Sequence, residues 1–166
     1  PISGIVEISE NQLLLFSNKS KSLLLFDTET QQFSNEPLHP SLLSISPTTI
    51  SRQGDKVYIG SYKGVFVYSI SRKTLEDITP NELQDKQILA ILQQSPICLW
   101  IGTEGHGLYK VNPQTKETTN YVNTPGKKGG ISSNYIRSLA LDSQNDLWIG
   151  TINSLNTYNE TTDSFD

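Results

Sequence analysis

Leu99-Trp100-Ile101-Gly102-Thr103 recurs almost letter for letter as Leu147-Trp148-Ile149-Gly150-Thr151, 48 residues later. A looser copy, Val57-Tyr58-Ile59-Gly60-Ser61, stands 42 residues before the first, with Tyr in place of Trp and Ser in place of Thr. A fainter one, Leu13-Leu14-Leu15-Phe16-Ser17, lies 44 residues earlier again. A second set of landmarks, Phe26, Tyr68, Val111 and Tyr158, keeps the same register at offsets of 42, 43 and 47. Two independent sets of matches make the chain an array of four repeats.

A period of about 40 to 45 residues is what a four-stranded propeller blade needs, and it exceeds that of ankyrin, tetratricopeptide or leucine-rich arrays. Each pentapeptide is a continuous apolar run with β-branched or aromatic residues, and three of the four copies have a closing Gly. Such a run suits a strand buried on both faces, as in a sheet sandwiched between two others. Trp then fills the gap between blades, and Gly admits the next sheet where a Cβ would intrude. Helical spacing at i, i+3, i+4 and i+7 is absent. The expected fold is all-β: a β-propeller fragment of about four four-stranded antiparallel blades. It forms one partial domain over 1–166, with repeats at about 4–36, 43–79, 87–122 and 134–166.

Within the first repeat the pattern predicts strands at Val6 to Ile8, Leu13 to Phe16 and Leu23 to Phe26, joined by polar turns. The second has Leu43 to Ile50, Val57 to Ser61 and Val65 to Tyr68, the third Ile88 to Leu92, Ile97 to Thr103 and Leu108 to Val111, and the fourth Tyr135 to Leu141, Leu147 to Thr151 and Leu155 to Tyr158. Pro37 to Pro40 reads as a loop between blades. Thr79-Pro80-Asn81-Glu82 reads as a capping box with Pro at the first position of one helical turn. After each third strand but the second, Asp27, Asn112 or Asn159 opens a tight turn, its side chain bonding the backbone two residues on.

Composition narrows the function. The net charge of −4 over 166 residues argues against a nucleic-acid footprint, which is basic and clustered. No apolar run approaches the roughly 18 residues of a membrane span. The chain opens on Pro1, which suggests an excised piece whose parent's targeting or membrane segment lies elsewhere. The lone Cys98, inside an apolar run, reads as a small buried hydrophobe with no spacing for a metal or disulfide. Pro125-Gly126-Lys127-Lys128-Gly129-Gly130 lacks the order of a phosphate loop, and Asp142 to Asp146 lacks the Gly and distal Glu of a calcium loop. Asn18-Lys19-Ser20 and Asn159-Glu160-Thr161 match glycosylation sequons, a pattern too common to carry weight. No cofactor is expected.

The fourth repeat, Ile131-Ser132-Ser133-Asn134-Tyr135-Ile136-Arg137-Ser138-Leu139, then Asp142, Leu147 to Thr151, Leu155 and Tyr158-Asn159, resembles the two-component regulator propeller repeat. The third matches through Leu99 to Thr103 and Gly107-Leu108-Tyr109. Repeats one and two lack the Trp, and Asn153-Ser154 stands where that family usually has Gly-Gly. The resemblance implies a periplasmic sensor region of a hybrid two-component system of Bacteroides-type bacteria. It further implies an oligosaccharide ligand and an output in transcription of glycan-use genes. The kinase and DNA-binding parts of such a parent, and its membrane anchor, lie outside these residues.

In a propeller, the turns between second and third strands and the connectors entering each first strand open on one rim. Sugar recognition there wants aromatic faces and planar hydrogen-bonding groups. Tyr62, Glu104, His106, Tyr135, Arg137 and Asn153 meet that description by position and type. Two other functions stay open. Glu104 beside His106 is the beginning of an acid-base or metal cluster, as in propeller lyases related to streptogramin-inactivating enzymes. A plain protein-interaction scaffold is the other. Four blades also leave the first and last sheets without neighbours, so the piece is expected to self-associate, with two copies completing one ring as one way to do so.

Overall fold

The computed structural model describes residues 2–17, 19–34 and 36–166, so the sequon at Asn18 lies outside the described residues. Four antiparallel sheets of four strands follow one another along the chain, each an unbroken meander. Blade 1 is β1 (Gly4–Ser9), β2 (Gln12–Ser17), β3 (Ser22–Asp27) and β4 (Gln32–Phe33). Blade 2 is β5 (Pro47–Gln53), β6 (Lys56–Ser61), β7 (Val65–Ser69) and β8 (Thr74–Asp77). Blade 3 is β9 (Ile88–Ser95), β10 (Cys98–Thr103), β11 (Leu108–Val111) and β12 (Thr118–Tyr121). Blade 4 is β13 (Ile136–Leu141), β14 (Leu147–Thr151), β15 (Leu155–Asn159) and β16 (Ser164–Phe165). The first strands of successive blades lie beside one another, β1 by β5, β5 by β9 and β9 by β13, which is the radial arrangement of a propeller.

The recurring apolar pentapeptides are the second strands, and their alternation explains why they carry no polar face. Successive side chains point to opposite sides of a sheet. Val57 and Ile59 therefore join Leu14 and Ile8 at the junction of blades 1 and 2. On the other side of the same strand, Tyr58 meets Leu99 and Ile101 at the next junction. Trp100 in turn meets Leu147, Ile149 and Tyr158 of blade 4. Trp100 is 0% exposed, with its ring centroid 4.9 Å from that of Tyr158 and 5.9 Å from that of Tyr121. Lys110 Nζ lies 5.3 Å from its ring centroid. The indole N–H donates to Gln94 Oε1 at 2.8 Å. Cys98 is buried in the same cluster, as a small hydrophobe.

The glycines of the pentapeptides are contact points between blades. A Cβ built on Gly60 would lie 2.7 Å from Ile88 Cγ2, and one on Gly102 would lie 2.5 Å from Ile136 Cγ2, in each case the first residue of the following blade. Each of these first strands then carries a bulge, with Thr48, Leu89 and Arg137 at equivalent positions.

Tyr58 occupies the position of Trp100 but has no acceptor. Gln53, exposed at the end of β5, stands where Gln94 serves Trp100, and its neighbour Arg52 directs its guanidinium to Glu7 O and Gly54 O. The Tyr58 hydroxyl is left buried without a partner, and burial pushes its pKa up to about 12. An orphaned buried hydroxyl costs stability that its removal recovers. Tyr58→Phe is expected to stabilise the chain by about 1 kcal/mol in urea denaturation; a loss of similar size would mean that water reaches the hydroxyl.

Two expectations need correction. The strand placed at Leu43 to Ile50 begins at Pro47; Pro40–Ser44 is a 3-10 helix capped by His39, whose Nδ1 accepts the Ser41 N–H at 3.2 Å. It seals the junction of blades 1 and 2 with Leu42, and Ile45 follows it into the same core. Thr79 does not cap the next short helix, Asn81–Leu83, where Pro80 holds the cap position with no side-chain bond. Its hydroxyl accepts the Val65 N–H at 2.9 Å and donates to Val65 O at 3.2 Å, tying the connector to β7. Trp148 lies on the trailing face of blade 4, the counterpart of the face that Trp100 presents to the next blade, with its indole N–H donating to Asp142 Oδ2 at 2.9 Å. That bond, with N–H groups of Asp146 and Gln144, holds the Asp142 carboxyl below the usual carboxylate range. The tight turns at Asp27, Asn112 and Asn159 form as read, each Oδ1 accepting two backbone N–H groups.

Candidate functional site

The rim between blades 3 and 4 is built on a single residue, Asn134, in the connector entering β13. The Gly105 and Gly107 N–H groups of the turn between β10 and β11 both donate to Asn134 O, at 3.1 and 2.9 Å. On its other side, Asn134 Oδ1 accepts the Asn123 N–H at 2.7 Å. Both glycines have positive φ, 83° and 86°, which lets the turn aim two donors at one carbonyl. At Gly107 a Cβ would fall 2.2 Å from Tyr121 O, so no other residue fits.

This hub sets the expected site residues. Tyr135 follows Asn134, with its N–H donating to Ser133 Oγ at 3.1 Å and its carbonyl accepting the Ile152 N–H at 3.2 Å. Its ring lies over the Gly105 turn and is 41% exposed. Glu104 donates its N–H to Gln87 O at 3.0 Å, and His106 stands exposed one turn position beyond Gly105. Asn153 Nδ2 donates to Ser132 O at 3.1 Å, while Ser132 Oγ donates to the buried Asn156 Oδ1 at 2.6 Å. Arg137 is the exposed bulge residue of β13. Five of the six expected residues thus lie on blades 3 and 4.

Tyr62 stands apart from them. It belongs to the blade 2 turn, and Lys21 Nζ lies 5.0 Å from its ring centroid, so a cation occupies that aromatic face. His106 Nδ1 lies 3.0 Å from Glu104 O, a backbone atom, so its imidazole pairs with its own turn and not with the Glu104 carboxylate. Among the described residues no group of three or more His, Cys, Asp or Glu side chains is placed to hold a metal ion. The lyase-like alternative therefore lacks its ligand set there. Asn134, Asn123 and Asn156 escaped the sequence reading because their role is to shape backbone, and polar residue type alone does not separate that from ligand contact.

Residues 130–153, which hold Asn134, Tyr135 and Arg137, match the model for the two component regulator propeller. A histidine kinase P4 from Formosa agariphila is 22% identical over 163 residues, covering 93% of this chain and 12% of the relative. The extracellular domain of a putative hybrid two component system from B. thetaiotaomicron superposes with a TM-score of 0.81 at 20% identity, covering 99% of this chain and 23% of that one. A second such domain from the same organism gives 0.73 at 24% identity, with 99% and 22% covered. The chain therefore spans under a quarter of the length of these relatives. Among the described residues no helix is long and apolar enough to cross a membrane. The chain is a four-blade stretch of β-propeller in which residues 130–153 match the two component regulator propeller.

Proposed function

We propose that this stretch is part of the extracytoplasmic, periplasmic sensing propeller of a hybrid two-component system and that its ligand is an oligosaccharide held on the rim of blades 3 and 4. The observation that carries the reading is the bonding of the turn that bears Glu104 and His106 to the Asn134 carbonyl, beside Tyr135, with Tyr135, Arg137 and Asn153 inside the residues 130–153 that match the sensor repeat. A rigid backbone under exposed aromatic and amide groups suits sugars, which are recognised by stacking on a ring face and by planar donors and acceptors. The rim is preorganised, so little ordering entropy opposes binding. Occupancy is relayed through packing against further blades and domains of a longer parent, where a histidine kinase and a DNA-binding regulator set transcription of glycan-use genes.

Titration calorimetry against a panel of neutral and acidic oligosaccharides tests this. One class is expected to bind, and Tyr135→Ala and His106→Ala are each expected to weaken it by about tenfold or more, the size of one lost aromatic or hydrogen-bonding contact. Tyr62→Ala is expected to leave affinity unchanged. Binding that is insensitive to both rim variants, or no binding to any member of the panel, would overturn the assignment.

A further inference from the structure

Two turns of the rim have spent their backbone donors. In the blade 3 turn, the Thr103 N–H goes to Gly107 O, that of Glu104 to Gln87 O, those of Gly105 and Gly107 to Asn134 O, and that of His106 to Thr103 Oγ1. The Thr103 hydroxyl donates to Gly107 O at 2.7 Å. In the blade 4 turn, the N–H groups of Thr151 and Ile152 go to Ser154 O and Tyr135 O, and those of Asn153 and Ser154 to Thr151 Oγ1. Every backbone N–H of 103–107 and 151–154 is thus used inside the protein.

The side chains of the blade 3 turn add acceptors. Glu104 O is a carbonyl and only accepts, so His106 Nδ1, 3.0 Å from it, carries the ring proton. Nε2 of the neutral ring is then a bare acceptor, on a side chain exposed to solvent. The opposite holds at the other histidine, His39, whose Nδ1 accepts the Ser41 N–H and leaves the proton to Nε2. The Glu104 carboxylate, two residues before His106, also only accepts, and neither it nor His106 Nε2 has a partner among the described residues. Arg137 does not offset this. It holds the bulge position that in blade 2 sends Thr48 Oγ1 forward to Ile88 O of the next blade, a direction that leads away from blade 3.

We propose that the turn 103–107 is an acceptor-only surface that selects an uncharged sugar, whose hydroxyls donate to His106 Nε2 and the Glu104 carboxylate, and that rejects a uronate or sulfate at the same place. This rests on the oligosaccharide reading of the rim and narrows it to neutral sugars. A hydroxyl supplies the donor that both groups need, whereas a carboxylate or sulfate brings acceptors and a second negative charge. Discrimination comes from the acceptors that the wrong ligand would leave facing one another.

Nitrogen NMR of the imidazoles in ligand-free protein at pH 8, above the usual imidazole range, tests the tautomer. One histidine of each kind is expected, and His106→Ala is expected to remove the Nδ1–H form. His106 found with its proton on Nε2 would overturn the proposal and leave the sugar reading standing. Calorimetry at the same pH with tetramers of glucose, galactose and mannose, each beside its uronate counterpart, tests selection. A neutral member is expected to bind, and its uronate to bind at least about tenfold more weakly, the size of one hydrogen bond to a charged group left unmade. Glu104→Gln adds an amide donor to the turn and is expected to narrow that gap by about tenfold. A uronate that binds the wild-type chain as tightly as its neutral counterpart, or a gap unmoved by Glu104→Gln, would overturn the selection alone. No binding by any tetramer would overturn the sugar reading with it.

Discussion

Gly102→Val is expected to lower stability by about 3 kcal/mol, the upper end of what overpacking costs, and the midpoint of thermal unfolding by roughly 6 to 12 °C for a chain of this size. The cost is not conformational, since Gly102 has no positive φ. It is steric and lies between blades: the new Cβ would stand 2.5 Å from Ile136 Cγ2 and 2.7 Å from Ile136 Cβ. Ile136 is fully buried and opens the first strand of blade 4, so relief requires the whole sheet to move outward. Gly150→Val provides the control. A Cβ there meets Ser138 Oγ at 2.3 Å, the end of a side chain that turns away about one bond. In dilute, monomeric protein this variant is expected to cost less than about 1 kcal/mol, the range of surface changes. Equal losses for the two would show that the glycine serves its own strand and not the approach of the next blade.

The contrast between these glycines marks how far the sequence could be read. Second strands were legible because burial on both faces demands an apolar run whatever surrounds it, so Leu147–Thr151 stands where periodicity places it. Connectors were less legible. Pro40–Ser44 is apolar enough to pass for strand, yet Pro40 and the His39 cap favour a helical turn, and Leu42 is buried from a loop instead of a sheet. The rim was legible by residue type only. Tyr135 and His106 advertise aromatic and polar chemistry, whereas the carbonyl of Asn134 that holds the turn under them is a backbone atom and leaves no trace in composition. Trp100 and Trp148 share one motif, and only the coordinates separate the enclosed indole from the open one.

Trp100→Ala is expected to cost about 3 to 5 kcal/mol, the range for a large buried side chain replaced by a cavity. Trp148→Ala in monomeric protein is expected to cost under about 1 kcal/mol. The comparison bears on the junction between blades, because strand register and indole hydrogen bonding match. Both indoles sit on second strands in equivalent register, opposite Lys110 and Thr157. Both indole N–H groups are satisfied within their own blade, Trp100 by Gln94 at 2.8 Å and Trp148 by Asp142 at 2.9 Å. What differs is the packing: Tyr158, Leu147 and Ile149 of the facing sheet and Tyr121 of its own blade close over Trp100, while no described blade covers Trp148. Truncating Trp100 opens a void bordered by two sheets that cannot close it without sliding, so little of the loss is recovered by relaxation. Urea denaturation of both variants at a concentration where the wild-type chain is monomeric gives the two differences directly. Should both cost the same, the indole would be stabilising its own sheet, and the stacking of blades would owe nothing to the tryptophan.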